Sequence, residues 1–259
     1  MSLSVLVQPR VPRAAFGKIV RNEVRLAGRQ SSGLIVGVGI PLALLIIFGE
    51  IPVFRQSSAS LGGLSAFDVY IPILIAFVIG VMALTYLPGP LVSYREQGIL
   101  RRLSTTPVPP SWVLAAQMVV VQACLMAISV ALLIVVSVVF FGASAPKNPA
   151  GMVLATALTI VAMFAIGLSI AAAARTPGAA RGLMAAAFYP LMFFSGLYYP
   201  TQLMPTALKD IAHFTLLGAA VEAIQDTMLQ GFVPAAPLLV LAAYAAVFGY
   251  LAMRFFRWE

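Results

Sequence analysis

The sequence predicts an all-α integral membrane protein with six transmembrane helices, and three observations carry that prediction. Of 259 residues, 61% are hydrophobic and only 9% are charged, against about 25% charged in an ordinary soluble domain. No soluble fold buries that much apolar surface, so the solvent must be largely lipid. Uncharged runs fall at 30–49, 69–94, 103–146, 148–174, 182–208 and 227–253, each long enough for the ~20 residues that cross a bilayer core as a helix. These runs are apolar throughout rather than alternating, which excludes a membrane β-barrel.

Six crossings put both termini on one side, and the charges say which. With the N-terminus inside, the cytoplasmic bases are Arg10, Arg13, Lys18, Arg21, Arg25, Arg29, Arg95, Arg101, Arg102, Arg175, Arg181, Arg254 and Arg257. Only Arg55, Lys147 and Lys209 fall outside, a strong positive-inside signal. The acids lean the other way, with Glu50, Asp68, Asp210, Glu222 and Asp226 outside. The expected location is therefore the plasma (inner) membrane, multi-pass, with both termini cytoplasmic. The basic balance of +8 is scattered along one membrane face, which fits orientation and anionic lipid better than a nucleic-acid groove. Cys124 stands alone, so no disulfide or metal framework is expected. About thirty polar and mixed residues precede the first apolar run, which is unlike a cleavable signal peptide.

In chain order, residues 1–13 read as a cytoplasmic tail and residues 14–30 as an interfacial helix. Phe16, Val20, Val24 and Ala27 cluster on one side of that helix, and Lys18, Arg21, Arg25 and Arg29 on the other. Residues 31–259 then form a single transmembrane domain of six helices. The spans are expected at Ser32–Gly49, Val69–Leu87, Ser111–Phe141, Gly151–Ala174, Gly182–Leu197 and Ala235–Met253. Pro88-Gly89-Pro90 should disturb the second helix, and Trp112 should anchor the third at the interface. Residues 175–181 read as a tight cytoplasmic turn. Residues 200–234 are too apolar for a solvent loop and too interrupted for a crossing, so two short helices dipping into the outer leaflet are expected, a geometry tolerated only against protein or a cavity.

The chemistry that is missing narrows the function. No G-x-x-x-x-G-K-[ST] loop is present, so the chain does not bind ATP by that route. His213 is the only histidine and reads as structural or interfacial; no catalytic constellation or metal-ligand spacing accompanies it. No ionisable residue lies deep in any expected span, whereas proton-driven pumps and many ion-coupled carriers need such groups. A transporter built this way draws its energy from outside the chain, through a cytoplasmic docking surface. The polar loop at 93–112 offers one. Tyr94–Leu103 lacks proline, and Ile99, Leu100 and Leu103 form an apolar edge beside Arg95, Arg101 and Arg102, as suits a short helix seated in a partner's groove. A solvated basic loop that only sets topology is the plainer reading of the same residues.

Three stretches carry a family resemblance. They are the basic helix before the first span; Arg95-Glu96-Gln97-Gly98, Leu100-Arg101-Arg102-Leu103 and Pro107 after the second; and Phe193-Phe194-Ser195-Gly196, Tyr199-Pro200 and Met204-Pro205 at the outer end of the fifth. The chain resembles the permease subunit of type-2 ABC exporters, the group that includes the daunorubicin-resistance-type multidrug efflux permeases. That resemblance implies a homodimer or heterodimer of permeases served by two separately encoded ATP-binding subunits, which would bind the ATP and Mg while this chain carries no cofactor. It also implies that Tyr94, Arg95, Glu96, Gln97, Gly98, Ile99, Leu100, Arg101, Arg102 and Leu103 form the coupling helix, and that the dipping helices cap the exit. Members often carry a proline near His213-Phe214-Thr215-Leu216; this chain has none there, which leaves the shape of the second dipping helix open.

The function expected is efflux of drugs or other hydrophobic or amphipathic molecules, with no catalysis by this chain itself. Phe188, Phe193, Phe194 and Tyr198 could line the path, or simply pack the bundle. A lipid or lipid-linked glycan is an alternative cargo. A non-transporting membrane assembly or scaffold protein is the alternative from another class, and a secondary transporter comes third.

Overall fold

The computed structural model describes residues 35–97 and 122–255. A π-turn, Ile35–Gly39, leads into α1, Ile40–Glu50. Two 3-10 turns, Pro52–Arg55 and Ala59–Leu61, carry the chain to α2, Ala66–Tyr86, and then α3, Pro88–Glu96. After the undescribed stretch come α4, Gln122–Phe141, α5, Pro149–Ala173, and α6, Pro177–Phe194. A helical pair follows, α7, Thr206–Phe214, and α8, Leu216–Gln225; a π-turn, Asp226–Gln230, joins it to α9, Ala235–Phe255. Among the described residues there is no strand, only an isolated bridge between Ser57 and Ser65. The chain is an all-α, multi-pass membrane protein, as the composition predicts.

Four helical stretches among the described residues are long and apolar enough to cross a membrane: 66–93, 122–141, 149–173 and 235–255. The other two expected spans differ for visible reasons. The first reaches the edge of the described residues, leaving 14 residues of apolar helix, Gly37–Glu50. The fifth, α6, is 18 residues long and begins with Pro177-Gly178-Ala179-Ala180-Arg181, which lowers its hydropathy. Its start corrects one expectation. The turn at 175–181 shrinks to Arg175 and Thr176, because Thr176 in an extended conformation accepts the Ala179 N–H at 3.1 Å and Pro177 opens the first helical turn.

Burial centres on α2. Ile71–Ala76 and Val78–Gly80 are at or below the burial level of the core, and the long side chains of Ile73, Leu74, Ile75 and Ile79 are wholly enclosed. A helix apolar on every face belongs in the middle of a bundle. It packs against α1, α4, α5, α6 and α8. The helices around it expose their outward faces: Val135, Val139 and Phe140 on α4, and Leu239, Val247, Tyr250 and Met253 on α9, as lipid-facing helices do.

The helical pair α7–α8 forms a hairpin whose apex packs into the interior of the bundle. The Leu217 side chain lies against Gly80 of α2, and Gly80 is past the midpoint of that helix. At about 1.5 Å per residue, this is roughly 20 Å along α2 from Ala66. Leu216 and Leu217 at the apex are fully buried. The absence of a side chain at Gly80 is what admits Leu217 so far.

Candidate functional site

At the end of the bundle opposite the hairpin, α3 carries the described part of the expected coupling segment. The α2 helix ends at Tyr86, Leu87 makes a bend, and α3 restarts at Pro88. Pro88-Gly89-Pro90 thus opens a new helix rather than lying in a loop. A proline in the first turn has no helical N–H to lose. Tyr94, Arg95 and Glu96 form the last turn of α3, and Gln97 the turn after it. The helix that carries Tyr94, Arg95 and Glu96 therefore begins six residues before Tyr94, at Pro88. Gly98, Ile99, Leu100, Arg101, Arg102 and Leu103 lie outside the described residues, as do the interfacial segment 14–30 and Trp112.

The α3 helix is not a free arm. Leu87, Leu91 and Val92 are buried, and α3 packs against α2, α5 and α6. Glu96 and Gln97 are exposed, and Gln97 Nε2 donates to Ser93 Oγ at 2.9 Å, tying the turn back to the helix. Because close-packed side chains deform little, a force applied at Glu96 passes into three other helices. Leu87 itself seats its side chain against Gly167 of α5, so the bend is anchored between two spans.

The four candidate path aromatics do not come together. Phe188 faces the core, with its ring centroid 6.5 Å from that of Phe77 on α2. Phe193 and Phe194 meet edge to face at 5.3 Å, but Phe193 is exposed on the outer face of α6 while Phe194 is half-buried. Tyr198 lies beyond the end of α6 and is exposed. They point in different directions and form no common wall within one chain.

What the sequence reading missed is a polar cluster in the hairpin. Thr215, extended at φ −80° and ψ 149°, separates α7 from α8. Its Oγ1 donates to the Ala212 carbonyl at 2.8 Å and accepts the Gly218 N–H at 3.2 Å. Tyr244 of α9 donates its hydroxyl to the Phe214 carbonyl at 3.1 Å. These bonds satisfy the backbone groups freed at the break, which is the condition for irregular chain at membrane depth. The hinge is made here by threonine, without a proline between His213 and Leu216. It lets α7 fold back until Gly218 touches the Ala212 carbonyl: a Cβ on residue 218 would stand 2.0 Å from that oxygen.

The close crossing brings distant charges together. Nδ1 of His213 contacts Oε2 of Glu222. Asp226 lies one turn on from Glu222 and is buried, with Gln230 Nε2 donating to its Oδ1 at 2.9 Å. Burial first, and then the Glu222 carboxylate, push the Asp226 carboxyl up to about 6, against the opposing pull of His213. Lys209, Thr201 and Gln225 complete the walls of a cavity of about 180 Å³ in the angle of the hairpin. The turn after α8 is fixed to α5: Lys147 and Asn148 donate their N–H groups to the Met228 and Thr227 carbonyls at 2.9 and 3.1 Å, and Asn148 Nδ2 donates to Gly231 O at 3.2 Å. The i,i+4 spacing of Glu222 and Asp226 was visible in the sequence. Their approach to His213 depends on the hinge and was not.

No group of three or more metal-ligating side chains occurs among the described residues, and the arrangement suits movement more than chemistry. A core-embedded helix presents a polar tip at one end, and a hinged, charge-paired hairpin sits at the other. In agreement with this, the family model for the ABC-2 type transporter matches residues 14–229, from the interfacial segment through the hairpin. No curated protein matches the chain. The match spans well over half of the sequence, and the family implies a membrane setting and an ABC ATP-binding partner; the chain belongs to the ABC-2 type transporter family, as the membrane permease subunit of an ABC transporter.

Proposed function

We propose that this permease is the membrane half of an ATP-driven exporter of drugs or other hydrophobic and amphipathic molecules. Two copies, or this chain with a related one, would assemble with two separate ATP-binding subunits that hold ATP and Mg. The chain would cross the inner membrane six times with both termini in the cytoplasm. In that frame α3 and residues 97–103 are the cytoplasmic coupling element, and the α7–α8 hairpin stands on the exit side. The observation that carries this reading is the placement of Glu96: exposed at the tip of a helix whose other residues, Leu91 and Val92, are locked into the bundle. An exposed tip on an embedded lever is what a soluble motor needs in order to shift the populations of two membrane conformations.

The test is to co-purify the full chain with the phosphate-loop ATPase encoded beside it and to measure hydrolysis in liposomes with and without candidate cargo. A stable complex whose hydrolysis rises with hydrophobic drugs supports the reading. Stimulation by lipid-linked glycan alone would move the cargo to that class. No complex and no effect on hydrolysis would overturn it.

A further inference from the structure

A groove of about 670 Å³ opens at the end of the bundle that carries Arg175, where α5, α6 and α9 converge. Its floor is Ala172-Ala173-Ala174, small residues that leave a trough, and its walls include Leu183, Leu251 and Phe255. The volume lies in the range of ligand sites, about 300–1,000 Å³. Polar groups along it are few and mostly engaged. Ser169 Oγ donates to the Phe248 carbonyl at 2.7 Å, pinning α5 to α9 at the head of the groove. The exception is Arg175 at the mouth, exposed and without a carboxylate partner among the described residues. Arg181 and Arg254 are exposed at the same end of the bundle, where Glu96 is the one described acid.

An apolar trough with a cation at its interfacial end is the chemical complement of an anionic amphiphile. We propose that the groove binds an anionic phospholipid of the adjacent leaflet, with an acyl chain along Ala172–Ala174 and the Leu183, Leu251 and Phe255 side chains, and with its phosphate paired to Arg175. Two features favour lipid over a protein occupant. The groove lies among helices whose outward faces are exposed and apolar, as Val247, Tyr250 and Met253 of α9 are, so the phase around it is lipid. Among the described residues the one charged side chain that lines it is the Arg175 guanidinium, a group that pairs with phosphate in a bidentate manner, and basic pockets between transmembrane helices are a known way to hold anionic head groups. The site joins three helices, two of which also pack on α3, so an occupant there bears on the same helices as the coupling element. The proposal concerns binding and does not depend on the direction or cargo of transport.

The experiment uses the purified full chain in detergent, offered equal amounts of phosphatidylglycerol and phosphatidylcholine with matched chains, with bound lipid counted by native mass spectrometry. The expected result is preferential retention of phosphatidylglycerol. Arg175→Gln should lower that preference about fivefold, the loss of one basic contact near a membrane surface. Arg175→Lys should restore part of it, and Arg181→Gln should leave it unchanged. Ala173→Trp, which fills the trough, should reduce retention of both lipids. Equal phosphatidylglycerol preference in wild type and Arg175→Gln would overturn the proposal. So would efficient cross-linking of Phe255→Cys between two copies in a Cys124→Ser background, because protein would then cover the groove.

Discussion

His213, in the last turn of α7, contacts Glu222 of α8 across nine positions of chain, and the contact clasps a hairpin whose apex is buried in the bundle. Both side chains keep partial access to solvent, at 41% and 32%. The strength of the contact should therefore resemble that of a surface pair, up to about 1 kcal/mol. A double-mutant cycle of His213→Gln and Glu222→Gln, read by thermal unfolding in detergent, is expected to give a coupling of this size. A coupling of zero would mean that packing alone holds the hairpin.

Asp226 gives the hairpin a defined response to pH. Its carboxyl is raised from the ordinary 3.8 to about 6, so the folded state favours the protonated form. The stabilisation this group contributes is fully present below about pH 4 and is lost as pH rises through about 6. Wild type should accordingly lose stability between about pH 4 and 6 and change little above that. Asp226→Asn, fixed in the neutral form, should flatten that slope. The groups facing Asp226 from its neighbours are His213 and Lys209 on α7 and Glu222 on α8, so Asp226 itself and its neighbour His213 are varied separately. The triple comparison of wild type, Asp226→Asn and His213→Gln separates the two.

Gly218 is the position where the hairpin tolerates no side chain. Its Cβ would fall 2.0 Å from a backbone oxygen that cannot swing away. Gly218→Ala should therefore cost more than the about 1–3 kcal/mol typical of overpacking, seen as loss of folded, monodisperse protein. Gly182→Ala is the control, because nothing lies within 4 Å of a Cβ there, and it should be neutral.

Glu96 is exposed at the end of α3, so removing it disturbs no core. Glu96→Ala is expected to insert and fold as wild type does, while cargo transport by the assembled complex falls to background. Unchanged efflux in that variant would reduce the segment to a topology signal. Replacing Arg101 and Arg102 together with Gln should weaken co-purification of the ATPase without inverting the chain, because many other bases remain on that side.

Much of this molecule is legible in one dimension because lipid is a simple solvent. Apolar run length predicts helices, and the structure places a helix within each of the six runs, with α2, α4, α5 and α9 long enough to cross. The polar excursion after α2 also stands out, since any charged residue in so apolar a chain does. Where the helix before it restarts was not legible: Pro88-Gly89-Pro90 reads as a breaker, yet a proline at the start of a helix is favourable, and only burial of Leu91 and Val92 shows that the segment belongs to the bundle. The aromatics of α6 show what helical rotation decides: Phe188 turns toward Phe77 of α2, while Phe193 is exposed.

The sequence by itself determined the solvent, the helices, the topology bias and the family, all of which depend on composition and local spacing. The tertiary structure decided what the hairpin is. His213, Glu222 and Asp226 are ordinary interfacial residues until Thr215 breaks the helix and Gly218 lets the two arms touch. A contact between residues on separate helices depends on the angle between those helices. That angle is set by packing against α2, α5 and α9, and no local pattern in the sequence encodes it.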